Sequence, residues 1–278
     1  MQTTVTAPAL LLEVLKKLAP DSSINTLRSW IDKGRVTVAG KVVAKSNHPV
    51  LPGEEVVIGH RVHFARGGIK ILFEDKTLVV LEKPPGLLSV ATDFKDEHTV
   101  HTILKRRDHI DRVYPVHRLD RDTSGVMLFA YTEAARDHLK EQFEKRLVEK
   151  MYIAVIEGKL NPQEGKWESF LAEDARFFVA STSSEQTGKL AITLYKVVAQ
   201  NRRYSRLHLK LQTGRKNQLR VHCREAGVPI VGDKKYGSDS NPIKRLCLHA
   251  QSITFVHPVL GKKMTFEAAL PQEFDQLV

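Results

Sequence analysis

The sequence predicts an α+β fold, with a large domain built on a mostly antiparallel, mixed sheet and preceded by a small α/β unit. Short apolar runs typical of strands recur beyond residue 70, and turns rather than regular helices separate them. Two longer stretches of that region, 133–145 and 216–226, have the composition of helices. The first sixty residues combine two helical patterns with short strands. We therefore predict two domains, residues 1–65 and 66–278.

The first unit opens with two predicted helices. Residues 9–18 form the first, which ends before Pro20, and residues 24–32 form the second, with Ser22 or Ser23 as its N-cap. Gly34 then stands where a left-handed residue commonly ends a helix. The second helix has an apolar face at helical spacing, made of Ile24, Leu27 and Ile31.

Predicted strands follow in both domains. Alternating or apolar runs bounded by turn residues indicate them. In the first unit they cover residues 36–38, 41–43 and 55–58. Residues 60–68 are the expected hinge. In the large domain, strands are expected at residues 70–73, 78–83, 125–130, 151–156, 191–198 and 206–211. The helix at 216–226 should end at Gly227.

The charge of the chain points to a polyanionic partner. The 278 residues carry a formal net charge of +11. Residues 201–224 contain eight cationic side chains and no carboxylate, which favours phosphate binding over an ordinary solvated surface. The eight are Arg202, Arg203, Arg206, Lys210, Arg215, Lys216, Arg220 and Arg224.

Composition also excludes several classes of protein. No apolar run approaches the roughly 18 residues of a membrane span, and nothing resembles a secretory signal, so we expect a cytoplasmic protein without membrane association. Cys223 and Cys247 are the only cysteines, and we expect both to be buried thiols. The histidines and cysteines show no paired spacing typical of a metal site, so we expect no metal.

The densest polar cluster covers residues 115–125, directly before an apolar strand. Asp120 lies among Arg118, Arg121 and His117, whose positive charge should favour the ionised carboxylate. Such a carboxylate can act as a nucleophile or a base. The residues also allow a structural interpretation, in which Asp120 and its neighbour Asp122 pair with the arginines to stabilise a turn.

A resemblance separates these interpretations. The run His117-Arg-Leu-Asp-Arg-Asp-Thr-Ser-Gly125 is similar, residue for residue, to the catalytic motif of the RluA family of pseudouridine synthases. Further matches occur in the family's order at residues 71–86, 149–158, 211–222, 232–237 and 248–250, so the resemblance spans nearly all of residues 69–271. Residues 24–38 resemble the second half of an S4 RNA-binding module. One departure is Asn217, where the family usually has histidine.

The resemblance implies an isomerase that turns uridine into pseudouridine in structured RNA without a cofactor. Its catalytic residues would be Asp120 as nucleophile, Tyr152 against the uracil, and Arg220 as the partner of the aspartate. It implies large-subunit ribosomal RNA as the substrate, with transfer RNA as an alternative, and we expect a monomer. The implied RNA-binding residues are Arg118, which would fill the gap left by a flipped-out nucleotide, with Arg121, Arg215, Lys216, Arg28, Lys33 and Arg35.

Two other classes of protein share some of these features. A non-catalytic RNA-binding or ribosome-assembly protein would have the same basic charge, but it would have no need for a carboxylate paired with an arginine. A glycosidase would need two carboxylates beside one bond, with Asp122 as the second. The sequence leaves open whether Asp120 attacks C1′ of the ribose or the base.

Overall fold

The computed structural model describes residues 1–32, 36–39, 41–43, 45–58, 63–65, 68–91, 98–107 and 112–278. The chain divides into two compact units, Met1–Phe64 with Lys70–Leu72, and Ala65–Ile69 with Phe73–Val278. Within the described ranges, no helix is long and apolar enough to cross a membrane.

In the described part of the first unit, two helices accompany a four-stranded sheet. The helices are α1 (Leu11–Leu18) and α2 (Ile24–Asp32). The strands are β1 (Gln2–Thr4), β2 (Ala9–Leu10), β3 (Val36–Val38), β4 (Lys41–Val42), β5 (Pro49–Val50) and β6 (Glu55–Ile58). The sheet order is β1-β6-β3-β4, all antiparallel, and β2 pairs separately with β5. The core contains Leu11, Leu15, Leu27, Ile31, Val36, Val50 and Val56.

The predicted helices of this unit are found with two corrections. The first begins at Leu11 rather than at residue 9, because Ala9 and Leu10 pair with β5. Ser23 caps the second, its Oγ accepting a hydrogen bond from the amide of Thr26 at 3.1 Å. Ile24 is 51% exposed, so the prediction that it joins the buried face was wrong. Ile24 stands in the first turn of α2, and the residues of this helix that reach the core are Leu27 and Ile31. The predicted residues Lys33, Gly34 and Arg35 lie outside the described part of the chain.

The second sheet of the chain is extensive and mixed. Its strands are β7 (His63–Ala65), β8 (Ile69–Glu74), β9 (Leu78–Lys83), β10 (Tyr114–Pro115), β11 (Ser124–Ala130), β12 (Glu149–Glu157), β13 (Glu164–Glu173), β14 (Val179–Thr182), β15 (Lys189–Gln200), β16 (Tyr204–Leu211), β17 (Leu248–Val256) and β18 (Lys263–Glu267). The order is β14-β13-β15-β16-β12-β17-β11-β9-β8-β7, with β10 on β11 and β18 on β17. The pair β11 and β17 is parallel, whereas β12 is antiparallel to both of its neighbours. The predicted α+β class with a mixed sheet is confirmed.

Helices cover parts of this sheet. They are α3 (Val100–Arg106), α4 (Glu133–Glu144), α5 (Gln218–Glu225) and α6 (Gln272–Asp275), with a 3-10 turn at Lys234–Tyr236. The helix predicted from residue 216 begins instead at Gln218, because Asn217 adopts a left-handed backbone with φ of +53°. Both cysteines are buried free thiols, as predicted, and Cys247 immediately precedes β17.

Gly125 allows the parallel strands β11 and β17 to meet. Its φ is +116°, and a Cβ atom there would stand 2.1 Å from the carbonyl oxygen of Ala250. Any larger side chain would push the two strands apart. The residues immediately before β11 therefore lie next to the beginning of β17, and this is where the polar cluster of the sequence lies.

Candidate active site

Asp120 lies in the loop between β10 and β11, and both of its neighbours in the chain are fixed by side chains from the last residue of β9 and the segment after it. The Oγ of Ser89 donates to the carbonyl of Leu119 at 2.7 Å and accepts from its amide at 3.1 Å. The ammonium of Lys83 donates to the carbonyl of Arg121 at 2.9 Å. The backbone on each side of Asp120 is therefore held in place, as a reactive carboxylate requires.

Lys83 is fully buried in the interior. Besides the carbonyl of Arg121, its ammonium donates to the carbonyls of Pro84 at 2.9 Å and Leu87 at 2.8 Å. Burial lowers the pKa of Lys83 to about 7, and the charges of Asp122 and Asp120 oppose that shift. Three carbonyl acceptors match the three N–H donors of the ammonium group. Lys83 therefore ties the turn after β9 to the loop that carries Asp120.

Substituting Lys83 by methionine keeps the volume of the side chain but leaves three carbonyls without their donor. We expect Lys83→Met to lower the free energy of unfolding by about 2–4 kcal/mol, measured by urea denaturation. Lys140→Met, at an exposed position on α4, is the control and should unfold like the native protein. Equal stability of the two variants would show that the Lys83 hydrogen bonds do not hold this loop.

Arg220, on α5, faces Asp120 but is anchored by a different carboxylate. Its Nε and Nη2 donate to the two carboxylate oxygens of Asp233 at 2.7 and 2.6 Å, whereas its Nη1 stands 3.9 Å from Oδ2 of Asp120. The side chain of Asp233 is 1% exposed. A bidentate pair fixes the plane of a guanidinium group. Arg220 is therefore held rigidly, with its remaining nitrogen directed towards Asp120.

Asn217 and Tyr236 complete this support. Arg220 lies over the ring of Tyr236, 4.7 Å from its centroid, and the Nδ2 of Asn217 donates to the Tyr236 hydroxyl at 3.0 Å. Asn217 also accepts from Nη1 of Arg220 at 3.4 Å. Asparagine is among the few residues that tolerate a left-handed backbone. The departure at position 217 thus keeps a hydrogen-bonding side chain that contacts Arg220.

Tyr152 lies on β12 beside a break in register. Between Met151 and Tyr152 the pairing with β17 shifts, and such a bulge redirects the following side chain. Tyr152 lines a cavity of about 240 Å³ together with Asp120 and Arg220. Burial and the charge of Asp120 raise the pKa of Tyr152 far above its usual range, so its hydroxyl keeps its proton. The three side chains predicted to be catalytic are therefore brought together.

The electrostatics of Asp120 differ from the prediction. Burial raises the pKa of Asp120, while the positive charges of Arg220, Arg118 and Lys83 oppose the rise. We predicted that the surrounding positive charge would dominate and favour the ionised form. This was wrong, because the cost of desolvating the carboxylate raises its pKa by more than the positive charges lower it. A raised pKa makes the ionised carboxylate a stronger base than an ordinary aspartate.

His117 does not contribute positive charge, contrary to the prediction. Its Nε2 accepts a hydrogen bond from the amide of Leu128 at 3.0 Å, and its ring stacks on Phe143 with centroids 5.0 Å apart. Burial, with a smaller effect of Lys150, lowers the pKa of His117 to about 3. The ring is therefore a neutral acceptor that joins the loop to β11.

This neutral histidine makes the stability of the fold depend on pH. Because the pKa of His117 falls from 6.5 to about 3 on folding, the unfolded chain binds more protons between these values. We expect the urea midpoint to be highest above pH 6.5 and to fall as the pH drops towards 3. His117→Gln keeps an acceptor that does not titrate and should flatten this dependence. His249, with a pKa lowered to about 4, will leave a residual slope. An unchanged slope in the variant would contradict the assignment.

The predicted RNA-binding residues fall into three groups. Arg118, Arg215 and Lys216 line the cavity with Asp120, although Nε of Arg215 donates to the carbonyl of Leu190 and Lys216 forms an ion pair with Glu173. Arg121 is exposed and its Nε donates to the carbonyl of Gly86 at 3.2 Å. Arg28 is exposed on α2 in the other unit, and Lys33 and Arg35 lie outside the described residues.

Four contributors to the site escaped prediction from sequence. Asp233 lies in the matched segment 232–237 and Lys83 in the matched segment 71–86, but neither was given a role. No pattern in the sequence pointed to Ser89. The fourth, Lys150, lies two residues before Tyr152 and lines the cavity with Asp120, and burial lowers its pKa. Its place in the matched segment 149–158 was the signal that was missed.

Among the described residues, Asp120 is the only carboxylate that lines the cavity of about 240 Å³. Asp122 lines a separate cavity with Gly86, Asp233 and Arg245, so it does not form the two-carboxylate arrangement of a glycosidase with Asp120. Among the described residues, no three His, Cys, Asp or Glu side chains are grouped as metal ligands.

Comparisons with known proteins agree with this arrangement. The family described as RNA pseudouridylate synthase matches residues 77–225, and the S4 domain matches residues 11–56. The chain is 32% identical to the uncharacterized RNA pseudouridine synthase YhcT of Bacillus subtilis (strain 168), over 94% of this chain and 90% of that protein. It is also 32% identical to the ribosomal large subunit pseudouridine synthase D of Yersinia pestis, over 96% of this chain and 89% of that protein. The solved structure of human RNA Pseudouridylate Synthase Domain Containing 4 superimposes with a TM-score of 0.61 at 26% identity, covering 74% of this chain and 90% of that one.

The fold, the aspartate cavity and these matches define an RNA pseudouridine synthase, an isomerase that acts on RNA. The chain belongs to the RluA family of these enzymes and carries an S4 domain.

Proposed function

We propose that this enzyme converts uridines of large-subunit ribosomal RNA to pseudouridine, with Asp120 as the nucleophile acting on a flipped-out nucleotide. The observation that carries the proposal is the setting of Asp120. Its backbone is fixed on both sides by Ser89 and Lys83, and its carboxylate faces Arg220. Among the described residues, five cationic side chains line the same cavity as Asp120, those of Arg118, Lys150, Arg215, Lys216 and Arg220.

The reaction needs no change in oxidation state. The N1–C1′ bond of uridine breaks, the uracil turns, and a C5–C1′ bond forms. The proton on C5 is lost and N1 gains one from solvent, so the overall change is an isomerisation. Asp120 would hold one half of the substrate covalently while the bond is exchanged, through C1′ or through the base.

A uracil stacked in a helix cannot reach a carboxylate that lines a cavity, so the nucleotide must leave the stack. The cavity of about 240 Å³ is smaller than the pockets of about 300–1,000 Å³ that hold drug-sized ligands, which suits a single base. We propose that Arg118, which is exposed and close to Asp120 in the chain, fills the gap that the flipped-out nucleotide leaves in the RNA. Tyr152 would stack on the uracil and, because its hydroxyl keeps its proton, would relay the C5 proton to solvent rather than accept it as a phenolate.

Cationic side chains around the cavity would bind the phosphates of the RNA. We assign Arg121, Arg215, Lys216 and Lys150 to the RNA backbone near the target nucleotide. In the S4 domain, the candidates are Arg28, Lys33 and Arg35. Two RNA contacts on one chain raise the overall affinity through effective concentration.

Ribosomal RNA is the proposed substrate because several relatives, including the Yersinia pestis and Neisseria meningitidis proteins, are named ribosomal large subunit pseudouridine synthase D. Action on that RNA would place the enzyme in the cytoplasm. We also propose that it acts as a monomer. Transfer RNA is the alternative substrate that the experiment must include.

The test is tritium release from RNA labelled at C5 of uridine. Large-subunit ribosomal RNA from cells lacking the protein, and transfer RNA from the same cells, are incubated with the native enzyme and with Asp120→Ala. We expect release from ribosomal RNA by the native enzyme alone. Release from transfer RNA alone would overturn the substrate assignment, and equal release by the variant would overturn the role of Asp120.

A further inference from the structure

Phe177 is an exposed aromatic residue at the tip of the hairpin between β13 and β14. Its side chain is 71% exposed and its φ is +59°. A bulky residue in the left-handed region is strained, and glycine or asparagine would adopt this backbone more easily. The ring is therefore mostly exposed rather than packed in the interior, and its backbone conformation is one that phenylalanine rarely adopts.

The hairpin tip holds the ring in a defined place. The amide of Phe177 donates to the carbonyl of Asp174 at 3.0 Å, and the carboxylate of Asp174 accepts from the amide of Phe178 at 2.8 Å. Phe178 packs inward, its ring 5.0 Å from that of Tyr236. The ammonium of Lys235 donates to the carbonyl of Phe177 at 3.3 Å. The inward neighbour thus anchors the hairpin while Phe177 faces outward.

The surroundings of the ring are those of the candidate active site. Phe177 lines a cavity of about 510 Å³ with Asp120, Arg118, Lys216 and Lys235. The ammonium of Lys216 stands 5.5 Å from the centroid of the Phe177 ring. An exposed aromatic face between cations is the arrangement that binds single-stranded nucleic acid, because bases stack on the ring while the cations meet the backbone.

We propose that Phe177 is a stacking platform for an unpaired base adjacent to the flipped uridine, with Lys216 and Lys235 contacting the phosphates on either side of that base. The proposal rests on the RNA substrate of the proposed function and deepens it by naming a subsite. It assigns Phe177 to binding, so its loss should raise KM and Kd and leave kcat nearly unchanged.

The test uses Phe177→Gly, which removes the ring and also relieves the left-handed backbone. A structural role for the ring would lower the melting temperature of this variant, whereas we expect the temperature to stay the same or rise. We expect Kd for a large-subunit ribosomal RNA transcript, measured by filter binding, and KM for its isomerisation to rise about 10-fold. Phe177→Trp should bind within about 2-fold of native, because it keeps an aromatic face. Val259→Ala, which changes another exposed apolar side chain, should behave like the native enzyme.

The second step locates the base. The modified uridine is mapped, and transcripts are prepared with an abasic site on its 5′ or 3′ side. On one of these two RNAs, native enzyme and Phe177→Gly should bind equally, because the stacking partner is gone. If the difference persists on both, the ring contacts something other than an adjacent base and the proposal is overturned.

The failure of this inference is distinguishable from failure of the proposed function. Native isomerisation with unchanged Kd and KM in Phe177→Gly would overturn the platform and leave the function intact. If the native protein binds the transcript without isomerising it, the proposed function fails, and the ratio of the two Kd values still decides the platform. A fall in melting temperature with unchanged Kd would assign Phe177 to the fold.

Discussion

Asp120→Asn is expected to lower the rate of pseudouridine formation by about 10⁴-fold or more, because the amide can neither attack carbon nor accept a proton. The side chain keeps its size, and the hydrogen bonds from Ser89 and Lys83 go to the backbone rather than to the carboxylate. The loop should therefore keep its position. Single-turnover tritium release measures the rate, and filter binding on the same RNA should show affinity within about 3-fold of native.

Asp122→Asn is the matched control for this result. Asp122 is two residues along the same loop but lines a different cavity, so its variant should keep activity within about 10-fold of native. Equal losses in the two variants would indicate a reaction that needs both carboxylates. Loss of RNA binding in Asp120→Asn would instead indicate that the substitution disturbs the loop.

Asp233→Asn is expected to lower kcat by about 100-fold with a smaller change in KM, although Asp233 does not line the cavity with Asp120. Asp233 holds Arg220 through two hydrogen bonds of 2.7 and 2.6 Å, and an asparagine can accept only one of them. The guanidinium is then free to turn towards Asp120 or away from it. Breaking a buried ion pair also costs stability, and we expect a loss of about 3 kcal/mol in urea denaturation.

Asp275→Asn provides the comparison for that effect. Asp275 also pairs with an arginine, Arg206, at 2.5 Å, but its side chain is 65% exposed. Exposed pairs contribute little, so this variant should match the native enzyme in kcat and in stability. A kcat for Asp233→Asn that equals the native value would show that the orientation of Arg220 does not limit the reaction.

Local sequence patterns predicted many of the helices and strands. The strand at residues 78–83 and the helix at residues 24–32 were predicted with their observed bounds, because apolar runs or helical spacing mark them clearly. β13 was missed because it is largely exposed and its sequence, EGKWESFLAE, lacks regular alternation. Its conformation comes from the ladder with β15, which pairs residues distant along the chain. The short helix α3 was also missed, although Thr99 accepts from the amide of Thr102 as its N-cap.

By itself, the sequence determined the class of protein and the location of its chemistry, because a contiguous motif, 117–125, and the residue types at Tyr152 and Arg220 are local properties of the chain. Only the tertiary structure showed that Asp233 rather than Asp120 is the close partner of Arg220, that His117 is neutral, and that Lys83 and Ser89 hold the loop. These features depend on distances between residues far apart in the chain and on burial. Burial decides whether a carboxylate or an imidazole can bear its charge, and no local pattern reports it.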